Sequence, residues 1–177
     1  MTGQHVRLLL LTGPPGVGKT TALRRVCDIL RGEPIRGFFT EEIRAGGTRQ
    51  GFRLETFDGE RRTIADVRRG PPRVGRYGVD VAVIDAVARR VLVPDPTGAL
   101  FVIDEIGKME CLSQAFMDGV HALLAAAQPL FATVALHGSG LIDEIKRNPR
   151  AHLIHLTPGN RDEVPEQIAR ILRQGSL

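Results

Sequence analysis

A glycine-rich octapeptide, Gly13-Pro14-Pro15-Gly16-Val17-Gly18-Lys19-Thr20, follows four consecutive leucines, Leu8–Leu11. It fits GxxxxGK[ST] at every fixed position. Glycines let the backbone curl so that successive N–H groups point inward at phosphate oxygens. A helix beginning there adds the positive end of its dipole. The flanks agree with this reading. Val6–Leu11 reads as a buried strand, and Thr20–Leu30 as a helix ended near Gly32 and Pro34. A strand, a phosphate loop and a helix in that order require an α/β sheet.

The remaining pattern fills in such a sheet. Gly37–Ile43 and Phe52–Phe57 alternate and are β-rich, with RAGGTRQ between them as a loop. A third short strand is expected near Thr63–Val67, after the turn Asp58–Glu60. Together these predict a small antiparallel β insertion after the first helix. Arg68–Gly78, rich in Pro, Gly and Arg, reads as a long wet loop. Helices are expected over Val81–Leu92, from an N-cap at Ser113 to Gln128, over Leu141–Arg147, and after a cap at Asn160 or Asp162. That last helix carries Val164, Ile168, Ile171 and Leu172 on one face. Apolar strands are expected at Leu100–Asp104, Leu130–Leu136 and His152–Leu156. Continuous apolar strands alternating with amphipathic helices predict a mostly parallel sheet covered on both faces, a three-layer α/β fold. No linker separates two cores, so one domain is expected over residues 1–177.

The strand in LFVIDEIGKME, Leu100–Glu110, ends in two acids. Ligands of open α/β sheets bind beyond the carboxyl ends of the strands. Asp104 is therefore a candidate Mg²⁺ ligand together with the Thr20 hydroxyl. Glu105, where the chain leaves the sheet, is a candidate base for an attacking water. Lys19 is expected to reach the β- and γ-phosphates, and Thr21 to adjoin them. The chain has only three lysines, Lys19, Lys108 and Lys146, among 24 cationic Lys and Arg residues. A compact ammonium at Lys19 or Lys108 suits a phosphate where a planar guanidinium fits poorly.

Composition narrows the alternatives. The chain has 177 residues, 42% of them hydrophobic, enough for a sizeable core. Its apolar runs are too short to span a bilayer and no signal peptide is read, so a cytoplasmic protein with no membrane partner is expected. The net charge of +4 permits nucleic acid, but no long basic run or aromatic stacking motif indicates it. Cys27 and Cys111 form no metal-ligand spacing and read as buried, reduced thiols. His152 and His155 would face opposite sides of a strand and share no metal.

LTGPPGVGKTT, GFFTEEIRAGGTRQGF (residues 37–52), VGRYGVD (74–80), VIDEIGKME (102–110) and NRDEVP (160–165) together resemble the small P-loop nucleoside-triphosphatases of the cancer-related nucleoside-triphosphatase type. The resemblance spans almost the whole chain. It implies the three-layer P-loop NTPase fold, with an extra strand between the phosphate-loop strand and the acidic strand. It also implies Mg²⁺-dependent hydrolysis of ATP, GTP, CTP and UTP to NDP and phosphate by a monomer. The family's phosphate-loop roles carry onto Gly13 to Thr20, and its acidic-strand roles onto Asp104 and Glu105. Cys111 stands where an aliphatic residue is usual, and the segment His137–Gly140 is short.

Arg161 is a candidate for stacking on a base or reaching phosphate. Arg44, Arg49 and Arg76 are loop arginines weighed as a charge-neutralising finger. The absence of an Asn-Lys-x-Asp motif fits low base discrimination. Two other functions use the same motifs. One is a kinase passing the γ-phosphate to a nucleoside, nucleotide or polynucleotide. The other is a non-catalytic switch whose moving part is Arg68–Gly78.

Overall fold

The computed structural model describes residues 8–174; Val6 and Arg7 of the first expected strand lie outside them. In chain order the elements open with β1 (Leu8–Thr12) and α1 (Lys19–Ile29). The strands β2 (Ile35–Ala45), β3 (Thr48–Thr56), β4 (Arg61–Asp66), β5 (Arg73–Val74) and β6 (Tyr77–Val79) follow. Then come α2 (Val81–Val91), β7 (Leu100–Ile106), a 3₁₀ turn (Glu110–Leu112) and α3 (Gln114–Ala125). The chain continues through β8 (Leu130–Val134), α4 (Leu141–Arg147), β9 (Ala151–His155) and α5 (Val164–Gln174).

Strand alternation builds the layers. In β1, Leu8 and Leu10 join one core while Leu9 and Leu11 join the other, the two-residue period of a pleated strand. In β7 and β8, Phe101, Ile103, Leu130 and Ala132 face the first core, and Leu100, Val102 and Phe131 the second. Helices α2, α3 and α4 seal the first face; α1 and α5 seal the second. Each fully buried leucine contributes about 1.5–3 kcal/mol, so the strands are the main anchor of the fold.

Among the described residues the strands form one nine-stranded sheet, ordered β5-β6-β4-β3-β2-β7-β8-β1-β9. From β2 through β7, β8, β1 and β9 all neighbours are parallel. From β2 outward through β3, β4, β6 and β5 they are antiparallel. The antiparallel insertion is thus a wing of the same sheet, sharing β2 with the parallel half. β8 lies between the phosphate-loop strand β1 and the acid-bearing strand β7, the extra strand that the resemblance implies.

Several boundaries differ from the sequence reading. The expected loop RAGGTRQ shrinks to a tight turn at Gly46-Gly47, and β2 and β3 pair through to Ala45 and Thr48. Arg68–Gly78 is not loop throughout: β5 and β6 form a small hairpin that pairs with the edge of β4. The Tyr77 ring packs edge-on against Phe52 at 5.0 Å, and Arg76 lies over the Tyr77 ring. Arg73 donates to the carbonyls of Arg69 and Arg76. These tertiary contacts override the local Pro and Gly signal. Asn160 does not cap α5 with its side chain; it closes the preceding turn on Thr157 N and His155 O. The helix after Ser113 ends at Ala125, short of Gln128, whose side chain donates to Asp95 O.

Candidate active site

The phosphate loop is held from below and open above. Val17 is buried in the second core, while Pro14, Pro15 and Gly16 form an exposed crest. Gly16 and Gly18 have φ of 77° and 107°, the left-handed region that glycine reaches without strain. Gly13 is needed for space: a Cβ there would meet Leu156 O at 2.7 Å. The segment after β9 therefore rests directly on the loop, and Leu156 N donates to Thr12 O at 2.7 Å.

Lys19 opens α1 and is largely buried. Its ammonium donates back over the loop to Gly13 O at 3.1 Å. Glu105 Oε2 stands 4.0 Å from it. Thr20 is half-buried beside Lys19, whereas Thr21 is exposed on the first turn of α1.

β7 runs two residues further than expected, so Asp104 and Glu105 lie within the strand and not at its exit. The register against β8 shifts between Ile103 and Ile106. Strict alternation is interrupted there, and both acids turn toward the phosphate loop. Asp104 is 1% exposed. Its Oδ1 accepts from the Thr133 hydroxyl at 2.5 Å, and the Thr20 hydroxyl also faces its carboxyl. Its backbone oxygen accepts from the Thr40 hydroxyl. Burial pushes the Asp104 carboxyl above its ordinary range, against the pull of Thr133, Thr20 and Lys19. Burial also raises Glu105; Lys19 and Lys146 oppose this, and the Asp104 charge adds to it.

Asp104 Oδ2 is buried with no hydrogen-bond partner. An unpaired carboxylate oxygen beside a threonine hydroxyl is a donor set that a hard divalent cation satisfies, with phosphate and water oxygens completing the shell. Thr20 and Asp104 therefore fit Mg²⁺.

Other candidates lie outside this cluster. Lys108 is exposed and lines a cavity of about 590 Å³ with Cys111, Met117, His137 and Ile142. Arg161 is exposed on the turn between β9 and α5, its backbone N–H bonded to Thr157 O at 3.1 Å. The loop arginines weighed as a finger are engaged in the wing: Arg44 and Arg49 pair with Glu42, and Arg76 donates to Arg49 O.

The structure also brings in residues that sequence reasoning passed over. Thr133 is a lone hydroxyl in an apolar strand, a signal that was available. Thr40 and Lys146 are tertiary arrivals. Lys146 donates to Leu136 O at 2.8 Å and acts on Glu105 electrostatically. Cys27 and Cys111 are free and half-buried, and burial pushes both thiols up to about 12.

A phosphate loop after β1, faced by two acids on a strand one place removed, defines a P-loop NTPase fold. The chain belongs to the NTPase_1 family, whose profile, described as NTPase, matches residues 8–169. It is 41% identical over 172 residues to the nucleoside-triphosphatase THEP1 of Pyrococcus abyssi, covering 93% of this chain and 91% of that one. It is 36% identical over 175 residues to the human cancer-related nucleoside-triphosphatase, covering 89% and 92%. The crystal structure of THEP1 from the hyperthermophile Aquifex aeolicus superposes with a TM-score of 0.84 at 36% identity, over 93% of this chain and 98% of that one.

Proposed function

We propose that this protein hydrolyses nucleoside triphosphates to the diphosphate and inorganic phosphate, with Mg²⁺ and with little discrimination among ATP, GTP, CTP and UTP. The observation that carries this reading is the crevice in which the Lys19 ammonium stands 4.0 Å from the Glu105 carboxylate, beside the unpaired Asp104 Oδ2. The nucleoside-triphosphatase names of its relatives support the same reaction.

The backbone N–H groups of Gly13–Thr20 receive the phosphate oxygens, and Lys19 neutralises charge at the β–γ bridge. Glu105 orients a water in line with the γ-phosphorus and accepts its proton as the new P–O bond forms. The bond to the β-bridging oxygen breaks, and the diphosphate leaves. Thr20 and Asp104 would hold Mg²⁺, which when bound polarises the phosphoryl oxygens. A broad base range fits the exposed Arg161, whose planar guanidinium stacks on any base without reading its edges.

The test is phosphate release from the four common triphosphates by purified protein, with Mg²⁺ and with a chelator. Lys19→Ala should abolish binding and turnover together. Glu105→Gln should bind nucleotide yet turn over about 10²–10⁴-fold more slowly. Wild-type release by Glu105→Gln would remove Glu105 as the base. Acceptor-dependent diphosphate formation without free phosphate would replace hydrolysis by a kinase reaction.

A further inference from the structure

Past Glu105 the chain turns through Gly107 into the 3₁₀ turn Glu110–Leu112. Glu110 is only 5% exposed. Its carboxyl faces the backbone N–H groups of Gly107 and of Glu110 itself. Gly107 is wedged between two acids: a Cβ there would lie 3.0 Å from Glu110 Oε2 and 3.5 Å from both Cγ and Oε1 of Glu105. The same turn is closed by Cys111 N donating to Gly107 O at 3.0 Å. The Glu105 and Glu110 side chains therefore converge on the open face of Gly107, the space that a Cβ would fill.

The charged groups that act on Glu110 are Glu105 and Asp104, both acids. A buried carboxyl without a cationic partner costs free energy that an apolar side chain of the same size would not. Packing alone gives no reason for an acid here; the peptide it holds does.

We propose that Glu110 is a positioning residue for the hydrolysis: by gripping the Gly107 amide from inside the protein, it fixes the turn against which Glu105 rests and keeps the Glu105 carboxylate aimed into the crevice. This rests on the reading of Glu105 as the base. Burial, reinforced by the Glu105 and Asp104 charges, pushes the Glu110 carboxyl up to about 8. Near neutrality it is thus an uncharged acid, able to grip the amide without placing a second negative charge beside Glu105.

Paired substitutions test the idea. Glu110→Gln keeps a carbonyl acceptor for the Gly107 N–H, and its kcat should stay within about threefold of wild type with KM unchanged. Glu110→Met fills similar volume without an acceptor. It should lose on the order of 10²-fold in kcat, the scale of a small misplacement of a reacting group. Its affinity for a fluorescent ATP analogue with Mg²⁺ should be retained, which shows the loop and fold intact. In a Glu105→Gln background the Glu110→Met substitution should cost nothing further, because its effect runs through Glu105. Should Glu110→Met fail to fold, Gly107→Ala pushes a methyl between the two acids and should lower kcat with nucleotide affinity unchanged. Full kcat in either Glu110→Met or Gly107→Ala overturns the proposal. So does an equal loss from Glu110→Met with and without Glu105, or a Glu110→Gln as impaired as Glu110→Met. Failure of the base reading shows separately, as undiminished turnover by Glu105→Gln alone.

Discussion

The Thr133 hydroxyl shelters the buried Asp104. Thr133 donates to Oδ1, and its own side chain is 0% exposed. Thr133→Val keeps the shape and deletes the donor, leaving a buried oxygen unsatisfied. We expect a loss of about 1–3 kcal/mol in urea unfolding, with a weaker metal dependence of turnover. Glu110 gives a pH signature. Its folded value of about 8 lies above the ordinary 4.5, so the native state binds a proton more tightly than the unfolded chain. Its contribution to stability is fully present below about pH 4.5 and is lost as pH rises toward and through about 8. Glu110→Gln should flatten that decline in a pH series of denaturation midpoints. At this scale the sequence was legible where chemistry is local. The phosphate loop is one unbroken octapeptide, and Asp104 closes one apolar run. The aim of Glu105 was less legible, because it depends on a register shift against β8. Thr40, Thr133 and Lys146 reach the acids only through the folding of distant segments.

Elements show the same division. Ser113 was readable as an N-cap, and its hydroxyl accepts from Phe116 N at 3.0 Å while donating to Asp85 on α2. It therefore ties the start of α3 to a neighbouring helix. Ser113→Ala should cost about 1–2 kcal/mol, read as a lower melting temperature with KM unchanged. The parallel strands were found because each is a short, nearly continuous apolar run that only a sheet buried on both faces accepts. The wing was underestimated. Its outer strands are polar and short, and edge pairing of the β5–β6 hairpin is decided by Phe52 and Tyr77 meeting across the sheet, which no local rule contains. The site needs both halves of β2: its first part pairs with β7, and Thr40 then reaches the Asp104 backbone.

At the scale of the molecule, the two cores on opposite faces each carry one thiol at their margin: Cys111 packs on the first, Cys27 on the second. Burial holds both up to about 12, so little thiolate forms near neutrality. Neither should react with a maleimide in the native protein. In a urea series both should become reactive at one midpoint, since a single sheet forms the floor of both cores; separate midpoints would show the faces melting independently. β8 stands between β1 and β7. Neighbouring strands lie about 4.8 Å apart, so the intervening strand sets the two working edges roughly 10 Å from one another. It acts as a spacer between the strand that leads into the phosphate loop and the strand that carries the two acids. Side chains bridge that width, Lys19 coming within 4.0 Å of Glu105, so drawing the two strands together would demand shorter residues at both positions.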